Sequence, residues 1–182
     1  ELTRAYAVFA NQGKLFRPFL VKKILDRDGN LLEENLPPYA SNETPDGNSI
    51  LSAQTAYLMT NLLEGVVQNG TGWKAKALKR PVAAKTGTTD DFVDAWFIGY
   101  TPELITGVWV GFDDERSLGE NETGGHAASP IWVAFMSKIL KEKPTQDFPV
   151  PEGIEFIKIE SEKGVVLECF KEGTGPTQLQ SP

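Results

Sequence analysis

At 182 residues, 40% hydrophobic and 24% charged, the chain has the profile of a globular domain with a sizeable core, not of a disordered protein. The net charge of −7 argues against binding phosphate backbones, so no nucleic-acid partner is expected, and no basic amphipathic stretch suits a membrane surface. One cysteine, Cys169, and one histidine, His126, exclude an intrachain disulfide, a thiolate zinc cluster and any histidine-rich metal site. No apolar run is long enough to span a bilayer.

Residues 1–11 place Leu2, Tyr6 and Phe9 near one helical face with Ala5 between them, and Gly13 is a plausible terminator. The abrupt start at "ELTRAYAVFANQG", without methionine or signal peptide, reads like the middle of a larger protein. "RPFLVKKILDRDGNLLEE" predicts two strands joined at Asp28-Gly29-Asn30. The turn formers of "LPPYASNETPDGNS" (36–49) predict a surface loop. Ser52 is a good N-cap for a helix over 53–68, with Ala56, Met59, Leu63, Val66 and Val67 at helical spacing and Gly70 as its stop.

Strands are predicted over 82–88, 94–101 and 105–112. Their short links leave no room for a helical crossover, so they should form an antiparallel meander. Near-continuous apolarity predicts helices on both faces of that sheet. Ser129-Pro130 predicts a cap and first helical proline for a helix over 130–140 that packs back on it. Beyond Pro144, "GIEFIKIE" and "GVVLECF" carry short strand signals. The expected division is therefore 1–143 as the main part and 144–182 as a tail.

Several attractive patterns fail. "DRDGN" has Leu31 and Pro37 where a calcium loop needs Gly and Glu, so it reads as a hairpin turn. "GTGWK" lacks the spacing of a phosphate-binding loop. Asp113, Asp114 and Glu115 read as a solvated turn, and His126 as a structural loop residue.

"AAKTGTTDDFVDAWF" is different. Lys85 closes a buried strand beside Gly87, whose missing side chain admits close approach of a backbone or ligand. Thr86 and Thr88 should point to one face, with Lys85 to the other or to the rim. At a sheet edge, the free backbone groups would pair with an extended peptide ending in a carboxylate.

"AAKTGTTDDFVDAWFIGYTPELITGVWVGFD" resembles the third-motif strand, and the two strands after it, of the class A, bifunctional penicillin-binding proteins. "GGHAASPIWVAFM", "ELTRAYAVFANQG", "LEGVVQNGTGWKA" and "KEGTGPT" are similar to other segments of the same transpeptidase domain, so the likeness covers nearly the whole chain. That family uses three motifs, S-x-x-K with the nucleophile, S-x-N, and K-T-G. Only the third is present. Ser41, Ser49, Ser52, Ser117, Ser129, Ser137 and Ser161 are never followed by Lys three places on, none has Asn two places on, and Ser181 lies at the end.

The resemblance implies an α+β fold, an antiparallel sheet flanked by helices, as a partial penicillin-binding or serine β-lactamase-like transpeptidase domain. It implies a D,D-transpeptidase that cross-links peptidoglycan stem peptides through a serine acyl-enzyme, and binds β-lactams, with no metal or organic cofactor. Carried over residue by residue, Lys85 supplies positive charge and a hydrogen bond, and Thr86, Gly87 and Thr88 bind substrate. The Thr88 N–H gives one oxyanion-hole donor. The nucleophile belongs to the preceding part of the domain, so this chain is expected to be inactive alone and to need that missing part as a partner. The setting implied is the outer side of the cytoplasmic membrane, with the anchor upstream. Without the missing part, exposed apolar surface predicts poor solubility or oligomerisation. The alternatives are a non-catalytic binding or scaffold module derived from that domain, and a piece of a serine β-lactamase or carboxypeptidase, which the "DAWFIGYTP" and "GTGPT" segments fit less well.

Overall fold

A computed structural model of the chain describes residues 1–16, 18, 20–35, 49–161 and 164–176. Its first helix, α1 (Leu2–Ala10), buries Val8 and sends Tyr6 and Phe9 into a core cluster. Leu2 and Ala5, expected on the inward face, are exposed. The reason lies in the seat: Thr3 rests against Gly107 of the sheet, which turns the contact face. Gly13 ends the helix at φ +89°, and its N–H donates to Val8 O. A side chain there would meet the Leu51 carbonyl, while Gly13 O accepts from the N–H groups of Ile50 and Leu51.

Strands β1 (Lys23–Leu25) and β2 (Leu31–Glu34) form the predicted hairpin. Its turn is closed by Asp26, whose carboxylate accepts from the backbone N–H groups of Asp28 and Asn30 and from Asn30 Nδ2. Those bonds, led by the Asn30 side chain, hold the Asp26 carboxyl below its ordinary range. The predicted loop over 36–49 lies outside the described residues except for Ser49.

Helix α2 (Ala53–Asn69) starts where Ser52 predicts, with Ser52 Oγ accepting from the Thr55 N–H at 3.2 Å. Gly70 and Gly72 both donate to Val66 O, which winds the chain off the helix into a 3-10 turn over Trp73–Leu78.

The meander β3 (Ala83–Thr88), β4 (Ala95–Tyr100) and β5 (Ile105–Val110) is antiparallel in the order β3-β4-β5. Register sets the two faces. Ala84, Phe97 and Val108 join Trp132, Met136 and Leu140 of helix α3 (Ser129–Leu140) in one cluster. Ala83, Tyr100 and Ile105 join Leu63, Tyr6 and Phe9 in the other. Both faces thus carry helices, as the apolar strands require. Helix α2 gives Leu63 to one cluster and Val67 to the other, so it meets the sheet along the β3 edge at Val82–Ala84.

Helix α3 is wedged in place. Trp132 packs against Phe97 with ring centroids 5.2 Å apart and planes tilted by 52°, and its Nε1 donates to Thr106 O at 3.0 Å. Arg80 Nη2 donates to Leu140 O and Lys143 O and caps the helix end. Its start differs from expectation. A π-turn over Gly124–Ala128 runs directly into the helix, so Ser129 has helical dihedrals and its buried hydroxyl makes no capping bond. Ile131, Phe135 and Ile139 form an exposed stripe on the outer side.

Strands β6 (Ile154–Ser161) and β7 (Gly164–Lys171) pair as an antiparallel hairpin. They dock on α2 through Tyr57 against Phe156, and through Gln54 Nε2 donating to Glu152 O. Glu64 of α2 is partly buried near Asp147, in the segment before this hairpin. Burial first, then Asp147, lifts its carboxyl to about 7.

Candidate functional site

The strand β3 changes character midway. Ala83 and Ala84 are buried, whereas Lys85, Thr86, Gly87 and Thr88 are exposed or half-exposed. Among the described strands only β4 pairs with it, so β3 is a sheet edge. The residues of this edge that share a core cluster with helix α2 are Ala83 and Ala84, and none of Lys85–Thr88 belongs to either cluster.

Alternation separates the side chains as the sequence predicts. Thr86 and Thr88 share a face with Ala84, and Lys85 shares the other with Ala83 and Gly87. The Lys85 ammonium curls back to donate to Thr86 O at 2.7 Å. A cation therefore sits at the strand rim while hydroxyls line one side. At Gly87 the close approach is made by Trp96, whose Cβ would lie 3.2 Å from an added side chain. Trp96 in turn lies beside Trp109, whose Nε1 donates to Asp94 Oδ1 at 2.7 Å. Asp94 and Thr89 close the turn after the motif with reciprocal backbone and hydroxyl bonds.

On the threonine side lies an open pocket of about 280 Å³, lined by Thr71, Trp73, Lys74, Thr86, Thr88, Thr123, Gly125 and His126. A second cavity, by Phe9, Tyr57 and Phe148, is only about 10 Å³ and admits no ligand. Thr86 Oγ1 bonds Thr71 Oγ1 at 2.7 Å, and Thr88 Oγ1 accepts from the Gly124 N–H at 3.1 Å. The floor is kept tight by Gly124, where a Cβ would fall 2.6 Å from Gly87 O and closer still to Trp96 O.

Of the expected site residues, Thr86 and Thr88 line the pocket, whereas Lys85 and Gly87 lie on the opposite face of the strand and are not part of its lining. Sequence reasoning missed Thr71, Trp73 and Lys74 from "GTGWK", and Gly124–His126 from "TGGH". His126, expected as a structural loop residue, does make a structural bond, its Nδ1–H donating to Asn121 O at 2.9 Å. It also lines the pocket. The available signal was the pair of glycine-flanked segments on either side of the motif strand, which only the fold brings together. The Asp113–Glu115 cluster is an exposed turn, where Asp114 meets Arg116 at 3.7 Å.

A carboxylate only accepts hydrogen bonds, and the lining of this pocket includes threonine hydroxyls and the Lys74 side chain. A peptide end with a carboxylate matches such a set. No helix among the described residues is long and apolar enough to cross a membrane.

Residues 1–137 match the family of the penicillin-binding protein transpeptidase domain. The chain is 44% identical to penicillin-binding protein 1A of Aquifex aeolicus over 83% of its own length and 20% of that protein's. It is 34% identical to the Pseudomonas aeruginosa penicillin-binding protein 1A over its whole length and 29% of the relative's. The crystal structure of penicillin-binding protein 1A from Haemophilus influenzae superposes with a TM-score of 0.83 at 31% identity, covering 97% of this chain and 32% of that one. The chain thus spans less than a third of the length of these relatives. It belongs to the penicillin-binding protein transpeptidase family, as part of the transpeptidase domain of a class A member.

Proposed function

We propose that this chain forms one wall of a peptidoglycan D,D-transpeptidase site and supplies its carboxylate-binding strand without its nucleophile. In this reading, a serine on the preceding part of the domain attacks the penultimate D-alanine carbonyl of a stem peptide. The last D-alanine leaves, and an amine of a second stem peptide resolves the acyl-enzyme. β-Lactams acylate the same serine.

Thr86 and Thr88 hold the terminal carboxylate, Lys85 sets the charge at the strand rim, and Gly87 allows the close approach, which Trp96 makes from within the sheet. The Thr88 N–H is one donor of the oxyanion hole, a contact whose loss costs about 2.7–4 kcal/mol. Residues 1–143 belong to the transpeptidase part and 144–182 form its tail. The site faces the cell-wall side of the cytoplasmic membrane, with the anchor outside these residues.

What carries this reading is the exposed Lys85–Thr88 half of an edge strand, with both hydroxyls on an open pocket. A fluorescent penicillin tests it. The chain alone should take no covalent label, and adding the S-x-x-K segment should restore labelling. A label on the chain alone would overturn the assignment.

A further inference from the structure

We infer that Thr71 and the Gly124 N–H are positioning groups that aim the two threonine protons of β3 at an incoming carboxylate. They thereby set the preference of the pocket for an anionic peptide end over an uncharged one. The inference rests on the site reading above.

A threonine hydroxyl has one proton and two acceptor lone pairs. At Thr88, one lone pair is taken by the Gly124 N–H at 3.1 Å. A backbone N–H only donates, so the Thr88 proton must go elsewhere. None of the hydrogen bonds among the described residues receives it, and the pocket lies on that side.

Thr86 shares a 2.7 Å bond with Thr71, in which either oxygen can be the donor. An anion at Thr86 decides the polarity. The carboxylate accepts from Thr86, so Thr71 must donate to Thr86. Two hydroxyls in series polarise one another, which makes the inner one a better donor to the anion. A carboxamide carries donors of its own and gains less from that polarity.

The geometry fixes both outer groups. Gly70 and Gly72, on either side of Thr71, donate to the same carbonyl, Val66 O. That clamp holds Thr71 just past the end of α2. Gly124 is pinned by the absence of a side chain against Gly87 and Trp96. The threonine donors are thus set from two elements distant in sequence, neither of them part of the K-T-G motif.

The test uses the whole chain and two probes, N-acetyl-D-Ala-D-Ala and its C-terminal carboxamide, titrated against backbone amide NMR shifts. Shifts at Lys85–Thr88 with the carboxylate probe are expected for the native chain. Their absence would sink the site reading, and this inference with it. Thr71→Val should weaken the carboxylate probe about threefold to tenfold, the range for one lost hydrogen bond. The carboxamide should change less than twofold, and Thr71→Ser should restore the native ratio. Thr71 is exposed, so both variants should keep the native spectrum away from the pocket. Equal losses for both probes, or no loss for either, would overturn the positioning role while leaving the site reading intact.

Discussion

Gly124→Ala is the sharpest structural probe of the pocket floor. The new methyl carbon would lie 2.6 Å from Gly87 O and closer still to Trp96 O, against an ordinary carbon–oxygen contact of about 3.3 Å. Both obstacles are backbone atoms of paired strands, so no rotamer change relieves them. The π-turn must retreat by roughly 1 Å, which also breaks the Gly124 N–H bond to Thr88 Oγ1. Overpacking costs about 1–3 kcal/mol, and the lost bond adds about 0.5–1.5. A loss of about 2–4 kcal/mol is expected in urea unfolding of the chain. Gly65→Ala is the matched control. Nothing lies within 4 Å of its added carbon in the middle of α2, so it should stabilise by about 0.5–1 kcal/mol. If Gly124→Ala unfolds within 0.5 kcal/mol (about the error of such a comparison) of the native chain, the π-turn does not press on β3 and β4.

Two further predictions concern the core and the tail. Glu64 has a folded pKa of about 7 against an ordinary 4.5, so its contribution is fully present below pH 4.5 and lost as pH rises through 7. Allowing for its partial exposure, Glu64→Gln should gain about 1–2 kcal/mol at pH 8 and flatten the pH dependence of urea unfolding between 5 and 8. An unchanged pH profile would mean that burial and Asp147 do not raise the Glu64 carboxyl. The buried pair Thr60–Tyr100 gives an asymmetric test. With the Thr60 proton on Ala56 O, the Tyr100 hydroxyl is the donor to Thr60. Tyr100→Phe removes that donor cleanly and should cost about 1 kcal/mol, whereas Thr60→Val strands it and should cost about 1–3. Equal costs would show that the polarity is wrong.

Much of the fold was legible because local signals and burial agree. Ser52 and Gly70 bracket α2 where capping chemistry puts them, and short links alone dictate the meander. The inward face of α1 was misjudged because helical periodicity does not say which side a neighbour will take, and Thr3 against Gly107 decides it. Ser129-Pro130 looked like a cap, yet the π-turn before it continues the helix, a geometry without a periodic signature. The motif strand could be read from Lys85–Thr88 only together with the resemblance of the segments around it. Its pocket could not, since Thr71 and Gly124 reach the threonines from segments 15 and 36 residues away.

The role proposed for these residues is to hold a carboxylate for a nucleophile they do not encode. Intact-mass analysis after incubation with a penicillin tests it most directly, on this chain alone and on the chain joined to the preceding S-x-x-K segment. The account predicts an unmodified mass for the chain alone. For the joined protein it predicts one acyl adduct, located by peptide mapping on the serine of S-x-x-K. An adduct on any of the eight serines of the 182 residues would contradict it.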